Sequence, residues 1–345
     1  MTKASTIGLD LAKHVFQVHG VDAHGAVVVQ RRLRRSDILK FFARLEPALV
    51  GMEACSTSHY WARELRAFGH EVRLMPAQYV KAYVKRQKND AADAAAICEA
   101  VSRPSMRFVA VKTAEQQAST MLHRSRELLV RQRTMLINAL RGHLAEFGVI
   151  EARGPSKVWP LAALIESDDE RVPELARRAL RPLIAQLRAI GIQLEAIDAE
   201  ILAWHQASET SRRLATIPGI GPVIASAIAA SVPDASAFAS GREFAAWLGL
   251  VPRQNSTGGK PRLGRISKQG DANLRRLLII GAQSVLRWAR PGKSNAWIIA
   301  LMARRPRKVA AVALANKMAR IAWALMARGQ YYRPPKIVMA AASVA

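Results

Sequence analysis

Residues 6–30 read TIGLDLAKHVFQVHGVDAHGAVVVQ, and how this stretch folds decides the architecture of the first third of the chain. β-Branched and apolar residues recur on both sides of His24-Gly25, a pair suited to a tight turn, so a hairpin of two or more strands is expected. Working outward, SDILKFFARLEP (36–47) reads as a helix with Ser36 as N-cap, an apolar stripe of Ile38, Leu39, Phe42 and Leu45, and Pro47 as its stop. ALVGMEAC (48–55) reads as a short buried strand ending in Glu53, SHYWARELRAFG (58–69) as a helix stopped at Gly69, and HEVRLMPA (70–77) as a further strand. A hairpin followed by α, β, α, β, α is the order of an α/β domain with a mixed sheet.

From Glu115 onward the pattern changes to long helices. Met121/Leu122, Leu128/Leu129 and Met135/Leu136 repeat every seven residues, while Leu183, Leu187, Ile190, Leu194, Ile197, Ile201 and Trp204 step by four and three. These are heptad seams on two helices, fit for an antiparallel hairpin or for a dimerising coiled coil. Gly154, Pro155, Pro160 and Pro173 between them forbid one continuous helix. The last section opens with LATIPGIGPVIASAIAASV (214–232), a helix, a tight glycine turn and a second helix. It continues as a mainly helical region to Tyr331 and Tyr332, with Trp288, Trp297 and Trp323 expected in its core.

The chain has 345 residues and a formal net charge of +26, and Asp271 is the only acid between Val251 and Gln330. Such a field favours a polyanion, above all nucleic acid. A membrane is the weaker partner, because no apolar run is expected to reach the ~20 residues of a spanning helix, and no signal-peptide core opens the chain. Cys55 and Cys98 have no metal-ligand spacing and read as small buried hydrophobes in a reducing cytoplasm.

Against that charge, four acids stand out: Asp10 and Glu53 on strands, and Asp90 with Asp93 in KNDAADAAAICEA (88–100). Two acids three residues apart on a helix share one face. Carboxylates in apolar surroundings must shift, pair or bind a cation, and an all-oxygen set suits Mg²⁺ or Mn²⁺ rather than zinc. Taken singly, each acid is more readily a turn, cap or solvated residue; it is the four together, in a basic chain that opens on a hairpin, that favour a metal site. His14 is expected on a strand in a structural role. In IPGIGPV (217–223), Gly219 and Gly221 can offer backbone N–H groups to a phosphate, as in a helix-hairpin-helix turn, or simply pack two helices.

The GLDLAKH start, GMEA on a later strand, the NDAADA pair and the later PGIGPVIASAIAA, FASGREFAAWLGLVPRQNSTGGK and GRISKQGDANLRRLL together resemble the DEDD transposases of bacterial insertion sequences. That family is related to the Piv-type DNA invertases and includes the bridge-RNA-guided recombinases. The resemblance covers nearly the whole chain. It implies a ribonuclease-H-like, RuvC-like catalytic domain (1–110), a coiled-coil helical region (111–207), and a C-terminal transposase domain (208–345) with a helix-hairpin-helix-like turn. It further implies Asp10, Glu53, Asp90 and Asp93 as metal ligands and a serine nucleophile that maps to Ser256 in RQNSTGGK, the two forming a composite active site. Where the family often has Ser-Gly, this chain has Ser256-Thr257-Gly258-Gly259, so Thr257 and Ser267 stay in play. A phosphoserine–DNA intermediate, an element-encoded guide RNA, donor and target DNA, and a dimer or tetramer are what the resemblance adds, in a bacterial cytoplasm. Lys260, Arg262, Arg265, Lys268, Arg275 and Arg276 are the expected nucleic-acid contacts, with Arg304, Arg305, Arg307 and Lys308 beyond them. The rival reading is a RuvC-like metal-dependent nuclease in which water attacks and Ser256 is idle; a binding protein without catalysis is a third.

Overall fold

The computed structural model describes residues 3–84, 90–167, 169–292 and 294–334. It divides into two compact units, Met1–Gln117 with Val232–Ala239, and Ala118–Ser231 with Ser240–Ala345.

The first unit opens with β1 (Thr6–Asp10), β2 (Val15–Val21) and β3 (Val27–Arg34), each antiparallel to the next. There follow α1 (Ile38–Phe42), β4 (Leu49–Glu53), α2 (Ser58–Ala67), β5 (Glu71–Met75), α3 (Ala77–Val80) and α4 (Asp90–Val101). β4 runs parallel to β1 and β5 parallel to β4, which makes a mixed five-stranded sheet in the order β3-β2-β1-β4-β5. Side chains alternate across a strand, so Ile7, Leu9, Val50 and Met52, all fully buried, share one face with Phe16, Ile38, Phe42, Trp61 and Leu65. The other face receives α4, through Ile97, Ala100 and Val101 beside Met75 and Val80.

Several local expectations change. Ser36 does not cap α1; it lies in the single 3-10 turn Arg35–Asp37, and its hydroxyl donates to Asp37 Oδ1 at 3.1 Å. α1 ends at Phe42, well before Pro47, because one turn suffices to bury Ile38 and Phe42. Asp10 ends β1 instead of lying within it. His14 sits in the exposed loop after β1, where its carbonyl accepts from the Arg35 N–H at 3.0 Å, and not on a strand. Cys98 is buried on α4, but Cys55, past the end of β4, is exposed.

The second unit is mostly helical: α5 (Ala114–Ala145), α6 (Trp159–Glu166), α7 (Glu174–Ala207), α8 (Glu209–Leu214), α9 (Pro222–Ser231), α10 (Gly241–Trp247), α11 (Ala272–Trp288), α12 (Ala296–Arg304) and α13 (Arg307–Arg328). A small antiparallel ribbon, β6 (Pro252–Gln254) and β7 (Leu263–Ile266), interrupts them. α5 and α7 pair antiparallel within the chain. Arg126 donates to Asp198 at 2.5 and 3.3 Å, and Ile137, Leu140 and Leu144 share a core with Leu180, Ile184 and Leu187. The α7 seam faces inward, but on α5 Met121, Leu128 and Met135 are 65%, 49% and 69% exposed. A helix carrying two adjacent apolar positions per heptad can turn only one of them toward a single partner; here Leu122, Leu129 and Leu136 are the half-buried set, with Leu136 packed on the core shared with α7.

Two further expectations are corrected. By length and composition α13 is long and apolar enough to cross a membrane. It packs against α8, α10, α11 and α12, with Leu314, Ala315, Met318, Ala319 and Ala322 buried, so its apolar character serves the core of this unit. Trp288, expected in the core, is 68% exposed at the end of α11, while Trp297 and Trp323 are half-buried.

Candidate active site

Two glycines explain where the acids of the first unit stand. The β1–β4 register pairs Gly8 with Gly51 and Leu9 with Met52, so Asp10 and Glu53 come next, side by side at the carboxyl ends of two parallel strands. With a period of two, Gly8 and Asp10 share a face, as do Gly51 and Glu53. A Cβ on Gly8 would lie 2.0 Å from the Ala94 carbonyl oxygen, and one on Gly51 would lie 2.7 Å from Val101 Cβ. Only glycine lets α4 lie this close to the sheet, and that approach carries Asp93, in the first turn of α4, to the two strand-end acids.

The electrostatics agree with this placement. Glu53 is half-buried, and its carboxyl is raised above the ordinary glutamate range by burial first, then by the charges of Asp10 and Asp93. The chain leaves β1 toward β2 on one side and leaves β4 toward β5 on the other. The crevice between such strand ends is where open α/β sheets bind ligands. Asp90, three residues before Asp93, is exposed and is not among the groups acting on Glu53. Among the described residues no three acids, histidines or cysteines are gathered tightly enough to enclose an ion. The structure thus brings Asp10 and Asp93 within electrostatic reach of Glu53 without closing the three into a cage. In donor type the set fits a hard divalent cation, since a raised carboxyl flanked by two like charges is relieved when a cation is bound.

In the second unit Ser256 lies on the turn of the β6–β7 ribbon. Gly258 and Gly259 have φ of 54° and 74°, and Thr257 pairs with Lys260 across them; successive positive φ values are what a tight hairpin turn with the right twist requires. The Ser256 hydroxyl oxygen is exposed and accepts from the Arg262 N–H and from Gln254 Nε2, each at 3.1 Å. Two donors on one oxygen fix its position and are placed where negative charge on it would be stabilised. Thr257 is exposed as well, whereas Ser267 is buried and its Oγ accepts from the Gln269 N–H at 3.4 Å.

The expected nucleic-acid contacts divide by what they touch. Lys260, Arg262, Arg265 and Lys268 are exposed on or beside the ribbon. Arg275 Nη1 donates to the carbonyls of Leu248 (3.1 Å) and Gln269 (2.9 Å), which makes it a clasp for the loop before α11. Arg276 donates to Asn273 Oδ1 at 2.7 Å and lies 3.8 Å from Glu127. Gly219 packs into the body of the unit: a Cβ there would meet the Gly281 carbonyl at 2.7 Å. Gly221 is exposed just ahead of α9, with open space beside it.

Sequence reasoning passed over Gly8 and Gly51 as positioning residues. Their signal was present as a glycine two residues before each strand acid, Gly8-Leu9-Asp10 and Gly51-Met52-Glu53.

Comparison with known proteins adds to this geometry. Residues 7–148 match a family model described as "Transposase", of the DEDD IS110 type, and residues 211–297 match one described as "Transposase IS116/IS110/IS902 family". The chain is 52% identical to the "Probable family 20 transposase" of Pseudomonas aeruginosa over 96% of its own length and 99% of that protein's. It is 40% identical to the "Transposase for insertion sequence element IS1328" of Yersinia enterocolitica, over 96% of this chain and 99% of that one. With the "Transposase for insertion sequence element IS1111A" of Coxiella burnetii it shares 41% identity over 96% and 92%.

Proposed function

Because this chain belongs to the IS110/IS116 family of insertion-sequence transposases, we propose that it cuts and rejoins DNA by transesterification, with Ser256 as nucleophile and Asp10, Glu53, Asp90 and Asp93 as the ligands of a divalent metal. The observation that carries the carboxylate half is the raised Glu53 beside Asp10 and Asp93, at the strand ends where a ligand is expected. When bound, Mg²⁺ or Mn²⁺ would neutralise charge on the phosphodiester. The sheet order with its antiparallel first three strands supports a ribonuclease-H-like, RuvC-like catalytic domain over residues 1–110, followed by a helical region at 111–207 and a serine-bearing domain at 208–345.

In the covalent step the Ser256 Oγ–phosphorus bond forms as a phosphorus–oxygen bond of the DNA backbone breaks. The proton leaving Ser256 is matched by one taken up on the departing DNA hydroxyl, and attack by a second DNA hydroxyl reverses both changes. No net oxidation or hydrolysis occurs, so the ends can be rejoined without an energy source. The donors from Arg262 and Gln254 favour the charged oxygen, and the cations of the ribbon face the phosphate. An element-encoded RNA selecting donor and target fits the strongly positive chain. A homo-oligomer is supported by the exposed Met121, Leu128 and Met135, in a bacterial cytoplasm.

The test is a denaturation-resistant protein–DNA adduct formed with Mg²⁺. Ser256→Ala should lose adduct and recombination completely, because alanine offers no oxygen to phosphorus, while Thr257→Ala and Ser267→Ala retain both. Metal-dependent nicking by Ser256→Ala at wild-type rate, with no adduct from either protein, would establish water as the nucleophile instead.

A further inference from the structure

Beside the Ser256 ribbon the second unit holds an open groove of about 1890 Å³. That is larger than the ~300–1,000 Å³ pockets that take small ligands, which argues for a polymer as occupant. Among the described residues its lining contains six cations, Arg242, Arg265, Lys268, Lys308, Lys317 and Arg320, and no carboxylate. Between the cations the surface is apolar, built from Val309, Val312 and Ile321 with the two half-buried tryptophans Trp297 and Trp323. Pro252, Gly264, Arg265 and Ile266, which belong to the two strands that carry Ser256 on their turn, form one side.

We infer that this groove binds an unpaired stretch of the DNA strand being exchanged, its phosphates on the lysines and arginines and its bases against Trp297 and Trp323. The inference rests on the transposase reading and deepens it. A double helix presents phosphates and base edges but no apolar face, so it could use the cations and leave the apolar floor uncovered. An unpaired strand offers both charges and ring faces, the combination that single-strand-binding grooves exploit. Lys317 shows how the two are combined: its Nζ lies 4.1 Å from the Trp297 ring centroid. Burial, and then the Arg320 guanidinium, pull its pKa below the ordinary lysine value, a position that a neighbouring phosphate relieves.

The experiment uses the full-length protein without divalent metal, so that no strand is cut. Fluorescence anisotropy then compares a labelled 12-residue oligothymidine, an oligouridine of the same length and a 12-base-pair DNA duplex. Lys317→Gln and Trp323→Leu are expected to weaken oligothymidine binding on the order of tenfold and duplex binding by less than about twofold. Arg304→Gln, outside the groove, should weaken both equally and slightly. Equal losses for duplex and single strand would overturn the inference, as would oligouridine binding that is tighter than oligothymidine and equally sensitive to the variants. Should Trp323→Leu fail to fold, Lys317→Gln and the exposed Arg320→Gln decide the outcome. The adduct assay separates this inference from the reading beneath it. Adduct formation with no single-strand preference refutes the groove alone, whereas an intact preference without adduct refutes the Ser256 assignment alone.

Discussion

In a Gly8→Ala variant the new Cβ would lie 2.0 Å from the Ala94 carbonyl oxygen, 2.5 Å from the Cys98 amide nitrogen and 2.9 Å from Cys98 Cβ. Real Cβ atoms essentially never approach a neighbour within 3.0 Å, so α4 must retreat from β1 by about 1 Å or more in an interior packed as densely as an organic crystal. The two closest atoms are main chain, and no change of rotamer relieves them. Overpacking of this kind costs about 1–3 kcal/mol, occasionally more. Asp93 rides on the helix that moves, so the same substitution displaces it from Asp10 and Glu53, and a misplacement of ~1 Å costs on the order of 100-fold in rate. Urea unfolding reads the first effect, and cleavage of a labelled DNA substrate at fixed Mg²⁺ reads the second. A Gly8→Ala protein with the wild-type urea midpoint and cleavage within threefold of wild type would refute the claim that glycine at this position sets the carboxylate geometry.

Asp10→Ala or Asp93→Ala should abolish cleavage while leaving most DNA affinity, since the Lys/Arg surface supplies the binding; wild-type cleavage rates in either would remove the carboxylates from the mechanism. Glu53 binds its proton more tightly in the folded state, so stability falls as pH rises from the ordinary glutamate value of 4.5 through the raised one. Glu53→Gln should therefore melt above wild type at pH 7 in the absence of divalent metal, with the gap closing below pH 4.5, and Mg²⁺ should stabilise wild type more than the variant in a thermal-shift series. His123 behaves oppositely: burial, then Arg126, lowers its pKa from 6.5 to about 4, so its contribution is intact above pH 6.5 and is lost as pH falls toward 4. His123→Leu should flatten that limb of a pH–stability curve by roughly 3 kcal/mol. Gly142, in α5 with nothing within 4 Å of an added Cβ, should gain about 0.5–1 kcal/mol as alanine, read as a raised melting temperature.

The sequence by itself determined whatever depends on neighbours along the chain. Alternation around His24-Gly25 specifies strands, because a half-buried strand must show one apolar face every second residue. The heptads of α5 and α7 and the stretch from Val251 to Gln330 with Asp271 as its one acid are likewise local facts, and with the family resemblance they point to a transposase; the glycine two residues before each strand acid, at Gly8 and Gly51, is local too, but its meaning shows only once α4 is packed on the sheet. Tertiary structure alone decided which faces meet. Nothing in the spacing of Asp90 and Asp93 says that the first stays exposed while the second acts on Glu53; that follows from how α4 settles on two glycines far away in sequence. Nor do the heptads say that α5 half-buries Leu122, Leu129 and Leu136 and leaves Met121, Leu128 and Met135 in solvent. Local periodicity records how much apolar surface an element has, whereas the choice of surface to bury is made by contacts between residues far apart in the chain, as Gly8 with Ala94 and Arg126 with Asp198 illustrate.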